Sequence, residues 1–291
     1  SLQRQFLSLP DHVQVWPGHG AGSACGKSLG AVPSTTVGYE RRVAWWTPYV
    51  ERGDATGFTA ALLEGQPDAP AYFGRMKRHN RAGPPRRPDA PLSALSPDAL
   101  RARLGDEWLL VDTRRAETSR SDALQGALRV PAGRSFAGYA AYAFDPERDA
   151  RDLVLLASDA AAAEGLRAKL ARVGMDRVAG FVTSLDGLER DTPAQIAPED
   201  LASLDEALLL DVRSQDEYAA GHLPGARQLQ AGRVLWQQDE LPRDRPVVAY
   251  CQSGARSSVV ASALRAAGFD RVLELAGGYA AWSQAGRSVS R

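Results

Sequence analysis

Cys251 opens the run Cys-Gln-Ser-Gly-Ala-Arg-Ser over 251–257, and the chemistry of the chain is expected there. The apolar segment Pro246-Val-Val-Ala-Tyr250 reads as a buried strand that delivers the cysteine. After the run, Val259, Val260, Ala263, Leu264 and Ala267 recur at helical spacing, with Gly268 as a stop, which predicts an amphipathic helix. A cysteine at such a junction faces the positive end of a helix dipole. That setting lowers a thiol pKa below its free value of about 8.5 and favours the thiolate.

An arbitrary cysteine is more often a small buried hydrophobe than a nucleophile. Here the flanks argue otherwise: four residues separate Cys251 from Arg256, and none of them is large and apolar. A loop this short forms a cup of backbone donors, with Gln252, Ser253, Gly254, Ala255 and Ser257 able to surround an anion or a sulfur atom. Arg256 adds positive charge at the rim.

This loop resembles the active-site loop of the rhodanese family of sulfurtransferases. The resemblance continues through Leu208-Leu-Leu-Asp-Val-Arg213, Glu217-Tyr218, Gly221-His-Leu-Pro-Gly-Ala226 and Leu275-Ala-Gly-Gly-Tyr-Ala-Ala-Trp282, so that it spans about 196–286. It implies a ping-pong reaction in which a sulfane sulfur passes from a donor such as thiosulfate or a persulfide to Cys251, and then to a thiol or cyanide acceptor. The resemblance makes Cys251 the nucleophile, the backbone of 252–256 the cradle of the terminal sulfur, and Arg256 the holder of an anionic donor or leaving group. No cofactor is required for this step. A cysteine phosphatase is the nearest chemical competitor, but its loop spaces cysteine and arginine more widely to fit a tetrahedral oxyanion.

Several neighbours have plainer readings. Asp211 supports the fold, and His222 is a turn histidine held by backbone hydrogen bonds, since transfer from a thiolate needs no separate base. Tyr279 and Trp282 read as core or pocket wall. Glu217 either orients an arginine near the cup or faces solvent; the sequence leaves both open.

The chain also repeats itself. Leu109-Leu-Val-Asp-Thr-Arg114 mirrors 208–213, and Ala132-Gly-Arg134 mirrors 231–233, each at an offset of 99. Gly174-Met-Asp-Arg-Val178 mirrors 268–272 at an offset of 94. Two rhodanese-like α/β units are therefore expected at 89–191 and 192–291, each a parallel sheet with helices on both faces. Under the 94-residue offset Cys251 maps onto Ala157 and Arg256 onto Ala162, so the first unit lacks a nucleophile and reads as inactive. Ser96-Pro97 and Ala197-Pro198-Glu199-Asp200 are expected to start matching helices.

Residues 1–88 do not repeat. The segment from His12-Val-Gln-Val-Trp-Pro-Gly-His-Gly20 to Tyr72-Phe-Gly-Arg-Met-Lys-Arg78 resembles the C-terminal part of a metallo-β-lactamase-fold hydrolase, an α+β remnant of the kind fused to rhodanese domains. In that family a histidine in the position of His19 lies at the metal site. The remaining ligands, including a His-x-His-x-Asp-His run, are missing, and the four histidines are scattered at 12, 19, 79 and 222. His19 is thus a remnant candidate only, and no metal is expected. An alternative follows from this resemblance: a non-catalytic binding or scaffold fragment of a larger metal-dependent persulfide dioxygenase or hydrolase. Four prolines within 81–91 mark the boundary as a linker.

Composition fits an ordinary globular protein, with 44% hydrophobic and 24% charged residues and a formal net charge of zero. No basic excess points to nucleic acid, and no apolar run or signal-like start points to a membrane. Two cysteines, Cys25 and Cys251, are too few for a disulfide framework and suit a reducing, cytoplasmic setting. An exposed core in the N-terminal remnant would be covered by docking on a rhodanese unit or by homodimerisation.

Overall fold

The computed structural model describes residues 2–18, 34–66, 68–84, 90–204 and 206–291, so the expectations placed on His19 and Cys25 lie outside the described residues. Two compact units form, Ser1–Asp68 and Ala69–Arg291.

In the first unit the strands β1 (Gln14–Val15) and β2 (Thr35–Thr36) pair antiparallel, and helices α1 (Val37–Val43), α2 (Thr47–Glu51) and α3 (Ala55–Leu63) follow. Thr36 caps α1 by accepting from the Tyr39 N–H, and Asp54 caps α3 by accepting from Gly57. Trp45 stacks on Phe58 with ring centroids 5.6 Å apart. Strand β1 ends two residues before Pro17, which has no N–H to donate to a ladder.

The second unit begins ahead of the expected boundary at 88. Helix α4 (Phe73–Ala82) packs into it through Arg75, which is 3% exposed and bonds Asp145 at 2.6 Å and the Val173 carbonyl at 3.0 Å. Breaking this buried pair would strand a charge in the core, which holds α4 where it is.

Two parallel sheets follow. The first joins β3 (Trp108–Asp112), β5 (Leu128–Arg129), β6 (Asp152–Leu156) and β7 (Val178–Val182) in the order β5-β3-β6-β7. The second joins β9 (Gln195–Ile196), β10 (Leu208–Asp211), β11 (Arg227–Gln228), β12 (Val247–Tyr250) and β13 (Val272–Leu275) in the order β11-β10-β12-β13-β9. At the edge matching β9, Ala94 bridges Phe181 in parallel. The two sheets therefore share one strand order. Strands β3 and β12 are buried along their whole length, the mark of parallel strands covered on both faces. A short antiparallel pair, β4 (Ala123–Leu124) with β8 (Arg190–Asp191), lies outside the sheets.

Helices α5 (Pro97–Arg103), α6 (Ala116–Ser121), α7 (Phe136–Ala143) and α8 (Ala160–Ala171) go with the first sheet. Helices α9 (Gln215–Ala220), α10 (Ala231–Val234), α11 (Ala255–Ala266) and α12 (Gly278–Gln284) go with the second. Ser96 caps α5 with Pro97 at its first turn, as read from the sequence. The matching helix starting at 197–200 does not form: a single 3₁₀ turn, Leu201–Ser203, takes its place.

Helix α11 is not amphipathic in the usual sense. It is buried from Ser257 to Leu264, with Val259 and Ala263 in the core of the first sheet and Val260, Ala261 and Leu264 in that of the second. A helix wedged between two cores needs apolar residues on both sides. Among its buried serines, Ser262 Oγ donates to the Val259 carbonyl and accepts from the Arg129 N–H of the first sheet.

Candidate active site

Strand β12 ends at Tyr250, and the chain turns through 251–254 into α11. Cys251 is 1% exposed, and its Sγ lies inside the turn. The Gly254 N–H donates to Sγ at 3.2 Å and the Ser257 hydroxyl at 3.6 Å. Burial pushes the thiol up. The Ser257 N–H and hydroxyl, with the Ser253 and Gly254 N–H groups, outweigh it and hold the thiol below its ordinary pKa. Gln252, Ser253 and Ala255 are exposed, and Gly254 and Ser257 are buried. The turn needs a glycine at 254, where φ is +102° and a Cβ would lie 2.6 Å from Arg120 Nη2.

A second glycine closes the loop from behind. The Tyr279 N–H donates to the Cys251 carbonyl at 2.8 Å and the Ala280 N–H to the Gln252 carbonyl at 3.0 Å, so α12 begins directly under the loop. A Cβ on Gly278 would overlap the Cys251 carbonyl oxygen, and φ there is +63°. Gly278→Ala is therefore expected to cost about 1–3 kcal/mol and to displace the cysteine; chemical denaturation against the unaltered chain checks it.

Arg256 is half-buried and forms a two-pronged pair with Glu217 of α9, Nη1 to Oε2 and Nη2 to Oε1, both at 2.7 Å. Glu217 also accepts from the Ser214 N–H and completes a capping box with Ser214. The Arg256 hydrogen bonds pull the Glu217 pKa to about 2, against the effect of burial. Of the two readings left open for Glu217, the geometry gives the orienting one. The Glu217 hydrogen bond in turn raises the Arg256 pKa, and the Cys251 charge adds to it.

The first repeat also reaches this region. Tyr142 of α7 is held above its ordinary pKa by burial, with the Arg256 charge opposing, and it packs on Gly232. Arg129 of β5 bonds the Ser258 carbonyl of α11 and pairs with Glu274 of β13, both side chains buried. These contacts join segments with no shared motif, so no sequence signal marked them.

The supporting residues sit as expected. Asp211 pairs with Arg213 in the core at 2.6 Å, and Arg213 also donates to the Gly221 carbonyl. His222 Nδ1 lies 3.0 Å from the Tyr218 carbonyl, and its ring stacks on Tyr218. Tyr279 lies half-buried under Arg213, and Trp282 Nε1 donates to the Ser288 carbonyl. Among the described residues no cluster of histidine, cysteine and carboxylate side chains is arranged to hold a metal, and no helix is long and apolar enough to cross a membrane.

Residues 197–285 match the family of rhodanese-like domains. A sulfurtransferase of Allochromatium vinosum is 43% identical over 89 residues, 31% of this chain and 83% of that protein. Thiosulfate sulfurtransferase GlpE of Pseudoalteromonas translucida is 31% identical over 86 residues, 30% of this chain and 82% of that protein. Among solved structures, a metallo-beta-lactamase from Staphylococcus aureus is similar at 28% identity with a TM-score of 0.45, over 60% of this chain and 46% of that one.

Proposed function

Because this chain belongs to the rhodanese-like domain family through residues 197–285, we propose that it transfers sulfane sulfur through a persulfide on Cys251. One observation carries the proposal: a buried cysteine at the start of α11, with loop N–H groups and a hydroxyl aimed at its sulfur. A thiolate is the form these donors favour, and a thiolate is the nucleophile such a reaction needs.

With thiosulfate as donor, the Cys251 thiolate attacks the outer sulfur. The new Sγ–S bond forms as the S–S bond to the sulfonate breaks, and sulfite leaves with the bonding pair. The terminal sulfur of the persulfide then carries the charge and takes over the N–H groups of 253–257 that had faced Sγ. A cyanide or thiolate acceptor attacks that sulfur, and the Sγ–S pair returns to Cys251 as thiolate. A persulfide donor enters by the same exchange, with a thiolate as leaving group. Arg256 stays on Glu217 and acts through its charge, drawing the anionic donor toward the cup.

In this reading 192–291 is the catalytic domain and 89–191 a second rhodanese-like unit without a nucleophile, which the shared strand order supports. Residues 1–88 are read as part of a metallo-β-lactamase-like domain on their resemblance alone. A reducing compartment such as the cytoplasm would keep Cys251 a thiol.

The pH profile of Cys251 alkylation by iodoacetamide tests the proposal. The rate is expected to climb as pH rises through a midpoint below that of a free cysteine, and then to level off, since only the thiolate reacts. Glu217→Gln leaves Arg256 uncompensated beside the sulfur and should move the midpoint down by up to about one unit. A midpoint at or above the free-cysteine value would refute the activated thiolate.

A further inference from the structure

A cavity of about 520 Å³ opens at the carboxyl ends of β3, β6 and β7, over the start of α8. Thr113, Ala157, Ser158, Ala162, Leu166 and Lys169 line it, and it shares no residue with the 251–257 loop. The 94-residue offset places Ala157 and Ala162 where the second repeat carries Cys251 and Arg256. Two truncations to methyl groups thus accompany a space of the size that small-molecule sites occupy, roughly 300–1,000 Å³.

The charges around the cavity restrict what fits. The N-terminus of α8 is already satisfied by Asp159, which accepts from the Ala162 N–H at 2.8 Å and from the Ser158 hydroxyl at 2.9 Å. That carboxylate repels a second anion at this end. Arg114, also on the wall, spends its guanidinium on Asp112 and Asp122 at 2.7 and 2.9 Å. Lys169 is different: among the described residues its ammonium has no hydrogen-bond or ion-pair partner, and it lies two helical turns along α8 from Ala162. Between the two ends the wall is apolar, through Ala157, Ala162 and Leu166.

We propose that this cavity binds a small organic anion, its charged end on Lys169 and its apolar body on Ala157, Ala162 and Leu166. The degenerate repeat is then a ligand-binding domain in its own right. Asp159 sets the orientation, with the anionic end turned away from the start of α8.

Titration of the full chain with hexanoate, followed by amide NMR, tests this, with hexan-1-ol as the uncharged counterpart. Hexanoate is expected to give saturable shifts at Ser158, Ala162 and Gly165, and hexan-1-ol to bind about fivefold more weakly, the scale of one partly exposed ion pair. Lys169→Met should remove that difference, and Ala162→Phe should abolish binding of both. Absence of saturable shifts at these amides, or equal affinity for hexanoate and hexan-1-ol in the unaltered chain, would overturn the proposal. If Ala162→Phe does not fold, Lys169→Met decides alone: undiminished preference for hexanoate in that variant rejects the assignment.

Discussion

Replacing Cys251 with serine is expected to lower the rate of sulfur transfer from thiosulfate to cyanide by about a thousandfold or more, the scale of loss when a covalent nucleophile is removed. The hydroxyl left behind is far less acidic than a thiol, and none of the neighbouring groups is a base that could activate it. The donors around the site are N–H groups and the Ser257 hydroxyl, built to receive negative charge on sulfur. Folding should survive, because serine is close to cysteine in size and finds the same donors. A thiosulfate:cyanide assay beside a thermal melt separates the two effects.

The second large effect is expected far from the loop in sequence. Arg129→Met should destabilise the chain by about 3 kcal/mol, because it leaves the buried Glu274 carboxylate with only the more distant Arg120, 4.0 Å away. Both side chains are nearly inaccessible, at 2% and 3% exposure. Arg129 also donates to the Ser258 carbonyl of α11, while Glu274 stands in β13 just ahead of the Gly277-Gly278 turn under the loop. The pair therefore ties β5 of the first sheet to the two elements that carry and back Cys251. Adding Glu274→Leu should restore much of the lost stability by removing the under-compensated buried charge. Denaturant midpoints of the single and double variants check both statements.

Much of the frame around Cys251 was legible in the sequence. The apolar run to Tyr250, the short polar turn and the helical spacing that follows place the cysteine between a strand and a helix, and the structure has β12 and α11 there. The offsets of 99 and 94 marked two repeated segments, and each of these contains a parallel sheet, although the order of the strands was not readable from them. Local signals such as Ser96-Pro97 also held, since a cap depends on its own few residues.

What the sequence concealed depends on distant partners. Glu217 and Arg256 lie 39 positions apart, so the sequence left Glu217 undecided between orienting an arginine and facing solvent. Val259 and Ala263 read as one stripe with Val260 and Leu264, although they enter a different core. Arg75 stands in the segment grouped by resemblance with residues 1–88, yet it is buried and holds α4 to Asp145 and Val173 of the second unit. Each of these is a tertiary contact between segments whose local patterns are complete without it.

The most direct test of the Cys251 persulfide is the intact mass of the full chain after incubation with thiosulfate, before and after cyanide, beside Cys251→Ser. A gain of one sulfur atom that cyanide removes and the variant lacks is the predicted result. No gain with thiosulfate or with glutathione persulfide, or an equal gain in Cys251→Ser, would contradict it.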